Sequence, residues 1–113
     1  MNAPLAADAV MHSAIEVPVD HPAFAGHFPK FPVLPGAVLL DEVLQVIQRE
    51  RRIDLVHWQI ASAKFLSAVR PGAVLRLEHD AAKSGLIRFT VRAANQTVAS
   101  GVLSNTARPD RPA

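Results

Sequence analysis

The chain has 113 residues, of which half are hydrophobic and 19% are charged, so it has the composition of one globular domain with a small core. Its net charge of +2 is too small for a nucleic-acid-binding surface, and its lack of cysteine excludes disulfides, thiolate metal sites and a cysteine nucleophile. The histidines show no close ligand spacing, and no apolar run in the sequence is long enough to span a bilayer. We therefore expect a cytoplasmic protein without a metal ion.

The two ends of the chain predict flexible tails. Residues 1–10 are rich in alanine, and residues 107–113 carry two prolines among polar residues, which leaves 11–106 as the domain. Within it, branched side chains alternate with small or polar ones over residues 13–19, which predicts a first strand. Residues 21–35 predict a stiff loop, because prolines recur through this segment.

A helix is predicted to begin at Gly36, directly after this loop, and to run to about residue 49. Apolar residues occupy most of its circumference, which predicts a helix buried on nearly all sides. Asp41, Gln45 and Gln48 lie at i, i+4 and i+7 and form one narrow polar stripe along it. A stiff loop that holds His27, next to an apolar helix broken by Asp41, favours an acid/base pair in a dry pocket.

Four further strands follow, and they are predicted over residues 56–66, 73–80, 86–93 and 97–104. The 86–93 strand is the clearest, because apolar side chains alternate strictly with Arg88, Thr90 and Arg92. The order of the elements predicts an α+β domain in which an antiparallel sheet of about five strands wraps around one long central helix.

Beyond these patterns, residues 21–106 resemble the β-hydroxyacyl-acyl-carrier-protein dehydratases. That family has a loop and helix start of the form GHFPxxPxxPGxxxxE/D, and the matching residues here are Gly26, His27, Phe28, Pro29, Pro32, Pro35, Gly36 and Asp41. Gln45 fits the glutamine that commonly follows the acid, and residues 63–65 and 69–75 are similar to the AKFxxxVxPGDxL segment of the same enzymes. The short chain resembles the compact dehydratase-like branch of specialised lipid or polyene pathways.

The resemblance implies the hot dog fold and a homodimer, or a higher oligomer of dimers, in which the histidine of one subunit pairs with the acid of the other. It implies dehydration of 3-hydroxyacyl thioesters to trans-2-enoyl thioesters in fatty acid or related lipid and polyene biosynthesis. The acyl chain would be carried on the phosphopantetheine of acyl carrier protein, so no further cofactor is expected. Neither a nucleic acid nor a membrane is expected as a partner.

Such a dehydration requires a base for the C2 proton, an acid for the departing hydroxyl, and a donor to the thioester oxygen. His27 suits the base, Asp41 on a dry helix can hold the proton to be donated, and the Gly36 amide suits the oxyanion donor. The residues expected to bind the acyl substrate are Phe28, Phe31, Pro35 and Gln45. Lys30 and Arg70 are expected to bind the acidic carrier protein.

Two other functions remain open on the same fold. A hot dog acyl thioesterase directs water with a helix carboxylate but does not usually carry the GHFPxxPxxPG loop. A non-catalytic acyl-binding subunit would have no need of both His27 and Asp41. Of the other histidines, His21 is expected in a turn or at the site entrance. The remaining ones have structural interpretations, and they are His12, His57 and His79.

Overall fold

The computed structural model describes residues 10–24, 33–83 and 85–106. Residues 1–9 and 107–113, which hold the predicted tails apart from Val10, lie outside the described residues. So does the segment 25–32, which contains His27, Phe28, Lys30 and Phe31. No helix in the described part of the chain is long and apolar enough to cross a membrane.

Helix α1 covers Gly36–Arg51, and the strands are β1 Met11–Glu16, β2 Trp58–Phe65, β3 Val74–Lys83, β4 Leu86–Ala93 and β5 Gln96–Asn105. The strands form one sheet in the order β1-β3-β4-β5-β2, and every neighbouring pair is antiparallel. Short 3-10 helices at Pro22–Phe24 and Leu55–His57 precede α1 and β2 respectively. The predicted α+β architecture, five antiparallel strands and one long helix, is confirmed.

One face of the sheet packs against α1 around a single apolar cluster. Strands β3 and β4 place every second side chain on this face, as the period of two requires. The largest contributors from α1 and these two strands are Leu39, Val43, Val46, Ile47, Leu75, Leu77, Ile87, Phe89 and Val91. Burial of a side chain of this size contributes about 1.5–3 kcal/mol. The packing of α1 on the sheet is therefore the main stabilising contact of the domain.

Two predicted boundaries are wrong because local hydrogen bonding overrides the strand pattern. The first strand ends at Glu16 and not at residue 19, since Pro18 has no N–H to continue the ladder. The second begins at Trp58, because the Asp54 carboxylate accepts the Val56 amide at 3.0 Å and caps a 3-10 helix there. Helix α1 ends two residues later than predicted, and strand β3 ends three residues later. Strand β4 has the predicted bounds.

The prediction that α1 is buried on nearly all sides is wrong for the single chain. Asp41 and Gln45 are exposed, and the apolar residues Val38, Leu40 and Leu44 are only partly buried. The physical reason is that one five-stranded sheet covers one side of a cylinder and leaves the other uncovered. The chain therefore has an apolar flank on α1 that its own strands do not bury.

Of the described side chains, that of His79 on β3 is the one polar group in the buried core, at 1% exposure. Its Nε2 lies 2.7 Å from Oε1 of Glu50, and its Nδ1 accepts a 2.8 Å hydrogen bond from Nε of Arg51. A guanidinium nitrogen can only donate, so Nδ1 carries no proton and Nε2 donates to Glu50. The ring is neutral in this arrangement. Burial lowers the pKa of His79 from its ordinary value of 6.5 and outweighs the opposing effect of Glu50.

We expect acid to destabilise the fold through His79. The unfolded ring takes a proton near pH 6.5, whereas the folded ring has a lower pKa. The contribution to the free energy of unfolding is therefore fully present above pH 6.5 and is lost as the pH falls toward the folded pKa. Thermal unfolding followed by circular dichroism between about pH 8 and about pH 5 should show a steeper fall in Tm for the parent than for His79→Gln.

The matched control is His12→Gln, which changes an exposed histidine on β1 and should keep the slope of the parent. Identical slopes for the parent and His79→Gln would contradict this account of the buried ring.

Candidate active site

Helix α1 starts at a sharply defined point. Pro35 is its N-cap residue, with φ −58° and ψ 144°, and the Pro35 carbonyl accepts the amides of Val38 and Leu39 at 3.0 Å each. The Gly36 amide precedes both and belongs to the donors that a helix does not satisfy internally, at the positive end of its dipole. The structure therefore places Gly36 where a backbone N–H can bind an anionic oxygen.

Gly36 is also a point of close approach between α1 and the end of β2. A Cβ atom at this position would lie 3.0–3.1 Å from three ring carbons of Phe65, so the absence of a side chain lets the ring pack on the helix start. The Phe65 ring is 51% exposed on its other side. The sequence patterns do not predict this contact between Gly36 and Phe65, because the two residues are far apart along the chain.

An apolar cleft of about 320 Å³ opens beside the helix start. Its lining comes from the segment before α1, the first turn of α1 and the segment after β2, and consists of Val33, Leu34, Gly36, Leu39, Phe65, Leu66, Ser67, Ala68 and Val69. The Leu34 amide donates to the Val69 carbonyl at 2.7 Å and joins two sides of the cleft. The volume is within the range of small-molecule sites, so the cleft can take part of an apolar ligand.

Asp41 is held in one orientation by its neighbour on the next helical turn. Nε2 of Gln45 donates to Oδ2 of Asp41 at 2.7 Å, as the i, i+4 spacing allows. The carboxylate is exposed, so the dry environment expected for it is absent in the single chain. Gln45 donates to Oδ2, and Oδ1 of Asp41 takes no part in this hydrogen bond.

The acid and the helix start face different directions. At about 100° per residue, Asp41 lies about 140° around the helix axis from Gly36. Gly36 lines the apolar cleft, Pro35 lies directly before it, and Asp41 and Gln45 lie on the exposed face of α1. A single chain therefore brings Pro35 and Gly36 together with the cleft but does not bring Asp41 to it.

The other predicted site residues divide into two groups. Arg70 is exposed and directly follows Val69 at the cleft. The candidates in the segment 25–32 lie outside the described residues. A larger groove of about 780 Å³ on the opposite face of the sheet is lined by His12, Arg76 and Arg92 among others, and it contains none of the predicted site residues.

Comparison with known proteins identifies the family of the chain. The family model of the ApeI dehydratase, described as ApeI-like, matches residues 5–102. The 3-hydroxyacyl-[acyl-carrier-protein] dehydratase FabZ of Chlamydia pneumoniae is 35% identical, over 78% of this chain and 66% of the relative. The present chain thus spans 66% of the length of that relative.

Solved structures give the same result for the fold. The dehydratase heterocomplex ApeI:P from Xenorhabdus doucetiae is similar with a TM-score of 0.70 and 26% identity, over 88% of each chain. The dehydratase domain of PpsC from Mycobacterium tuberculosis, in complex with C12:1-CoA, has a TM-score of 0.71 over 91% of this chain and 40% of that chain. At 20% identity it supports the fold alone. Since the family model matches most of the sequence, the chain belongs to the ApeI-like dehydratase family, with the hot dog fold.

Proposed function

We propose that the chain removes water from 3-hydroxyacyl thioesters carried on acyl carrier protein, giving trans-2-enoyl thioesters. The observation that carries this proposal is the Asp41 carboxylate, held by Gln45 on a helix whose start opens on an apolar cleft. Membership of a dehydratase family and the identity with FabZ of Chlamydia pneumoniae support it.

In the proposed reaction, His27 takes the proton from C2, and the electron pair of that C–H bond moves through an enolate into the C2–C3 double bond. Asp41 gives a proton to the C3 hydroxyl, which leaves as water with the electron pair of its C–O bond. The Gly36 amide donates to the thioester oxygen, where negative charge builds up. A well-placed acid or base contributes about a hundredfold to ten-thousandfold to the rate.

Gln45 takes a more specific part in this proposal than the substrate-binding role expected from the sequence. Its amide donates to Oδ2 of Asp41, so Oδ1 is the oxygen that carries and delivers the proton. An acid confined to one rotamer loses less freedom as the reaction proceeds. Gln45 therefore acts by orienting the acid.

The apolar cleft beside Gly36 would hold part of the acyl chain. Pro35 directly precedes Gly36, which lines the cleft, and Phe28 and Phe31 stay sequence-based candidates for substrate binding. The thioester would then lie at the Gly36 amide, where the cleft meets the positive end of the α1 dipole.

We also propose that the working enzyme is a homodimer joined at β2. This strand is an edge of the sheet, and it and the next residue expose large apolar side chains: Ile60 is 45%, Phe65 51% and Leu66 58% exposed. An exposed apolar edge is an unstable feature in a monomer, and a second copy would cover it. The same contact would cover the open flank of α1 and pair Asp41 with His27 of the partner subunit.

Docking of the acidic carrier protein is assigned to Lys30 and Arg70. Arg70 is exposed and directly follows Val69, which lines the cleft, so we assign its charge to the rim of the cleft. Charges at a rim mainly accelerate encounter and are screened by salt over about 8 Å. The lipid or polyene pathway, the cytoplasmic location and the lack of a cofactor beyond phosphopantetheine stay predictions.

Asp41→Asn should abolish dehydration while leaving the fold intact, because the side chain is exposed and adds little to stability. His27→Ala should have the same effect. The measurement is mass spectrometry for loss of water from 3-hydroxyacyl carrier-protein substrates of several chain lengths. Parental rates in Asp41→Asn would refute the assigned roles, and release of free thiol in place of enoyl product would identify a thioesterase.

Gln45→Met should lower kcat by about tenfold with little change in Tm, because it removes the donor that orients an exposed acid. Gln48→Met is the matched control on the same polar stripe. Gln48 accepts the Leu55 amide at 3.0 Å, so its loss should lower Tm and leave kcat near the parental value. Equal effects of the two variants on kcat would contradict the role of Gln45.

Mixing inactive His27→Ala chains with inactive Asp41→Asn chains should restore dehydration, since one of the two sites in a mixed dimer would hold both intact groups. Subunit exchange is verified by native mass spectrometry of differently tagged chains. Continued inactivity of proven mixed dimers would place the site within one chain. A protein that stays monomeric alone but pairs with a different dehydratase-like chain would instead resemble the heterocomplex of its Xenorhabdus relative.

Reversal of the two charges assigned to docking, Lys30→Glu with Arg70→Glu, should raise KM for carrier-bound substrate by about tenfold and weaken its dependence on salt, with kcat little changed. Arg76→Glu is the control, because Arg76 is exposed on the opposite face of the sheet. A pantetheine-linked substrate lacks the acidic protein and should be unaffected. If it suffers equally, the two residues support the site itself and the docking assignment fails.

A further inference from the structure

The turn that leads into the segment 25–32 is built around His21. The His21 amide donates to the Pro18 carbonyl at 3.2 Å, and the His21 carbonyl accepts the Phe24 amide at 3.0 Å. Its side chain adds a third bond, because Nδ1 accepts the Ala23 amide at 3.0 Å. The imidazole thus caps the 3-10 helix Pro22–Phe24 in the way that an Asn or Asp side chain caps a turn.

The ring of His21 is also fixed by packing. It meets the Phe24 ring edge-on, with the ring centroids 6.1 Å apart and the planes at 79°. Phe24 is 9% exposed and belongs to the core cluster. An edge-to-face pair of this kind is a favourable geometry for rings, so the core holds His21 through Phe24.

These contacts determine where the remaining ring nitrogen of His21 points. Because Nδ1 accepts a hydrogen bond, the proton of the neutral ring is on Nε2. Nε2 lies 3.9 Å from Oε1 of Glu42, which is too long for a direct hydrogen bond but close enough for an electrostatic contact. Glu42 directly follows Asp41 on α1, so the capped turn faces the same turn of the helix that carries the acid.

The other end of the segment is anchored in a similar way. Leu34 is 6% exposed, belongs to the same core cluster and donates to Val69. Phe24 and Leu34 are thus two core anchors on either side of residues 25–32. His27 follows Phe24 by three residues in sequence.

We propose that His21 is a positioning residue for the dehydration. Its contacts with Phe24 and Glu42 hold the turn before residue 25 against the core and beside the Asp41–Glu42 turn of α1. The inference rests on the proposed function. His21 itself touches neither substrate nor reacting atoms, and it acts through the direction in which the chain leaves Phe24. Substitution of His21 should therefore change kcat more strongly than it changes KM.

The test uses purified full chains with carrier-bound substrate and measures kcat, KM and Tm for each variant. His21→Ala should lower kcat by about tenfold to a hundredfold with KM within about twofold. His21→Asn keeps an acceptor for the Ala23 amide and should recover most of that loss. Glu42→Gln should cause a smaller fall, and it should add nothing when combined with His21→Ala.

The control is His12→Ala, which removes an exposed histidine that faces Glu78 at 3.5 Å on β3 and should leave kcat unchanged. A kcat for His21→Ala within twofold of the parent, or an equal fall in His12→Ala, would overturn the proposal. If His21→Ala does not fold, Glu42→Gln decides, because an unchanged kcat in that variant removes the link to the helix. The Asp41→Asn variant separates the two proposals. If only the role of His21 is wrong, Asp41→Asn is still inactive, whereas an active Asp41→Asn enzyme refutes the proposed function itself.

Discussion

The packing of α1 on the sheet is the contact on which the rest of the molecule depends. Four buried residues of the helix fill the space above the strands, and the angle of the helix then fixes where its first turn and its exposed face lie. Side chains on the face of a helix that packs in the core cannot also contact a ligand. Asp41 and Gln45 are accordingly on the face that the sheet leaves open.

Close contacts at both ends of α1 make that position rigid. At the start, Gly36 lets the Phe65 ring pack directly on the first turn. At the end, Glu50 and Arg51 bind both ring nitrogens of His79, and Arg51 also donates to the His79 carbonyl at 3.0 Å. A helix tied at its first and last turns has little freedom to rotate or slide, which suits the role that we propose for Asp41.

Local sequence patterns predicted the parts of the structure that local physics decides. The bounds of β4 follow from strict alternation, the start of α1 follows from the proline and glycine before it, and the Asp41–Gln45 bond follows from helical spacing. The contacts of His79 with α1 and of Phe65 with Gly36 join residues about thirty positions apart, and no periodicity encodes them. They arise only when the sheet curls onto the helix.

The exposure of Asp41 had a different cause. Apolar residues on nearly all sides of a helix predict that every side is buried, but they do not indicate which element buries each side. The same sequence pattern is therefore expected whether the second side of α1 is buried by the chain's own sheet or by another subunit. Val38, Leu40 and Leu44, only partly buried, mark the side of α1 that the strands of the described chain do not cover.

This incomplete cover links stability, assembly and chemistry. The single chain leaves the Asp41 carboxyl exposed to water, whereas the proposed reaction would use it as an acid in an enclosed site. The apolar flank of α1 and the exposed side chains of β2 both leave hydrophobic surface in water, so burial would stabilise both. One contact with a second subunit would bury that surface and dry the acid at the same time. In such an assembly, the hydrophobic free energy of association would also keep the proposed acid out of water, and the enzyme would lose activity on dissociation before it lost its fold.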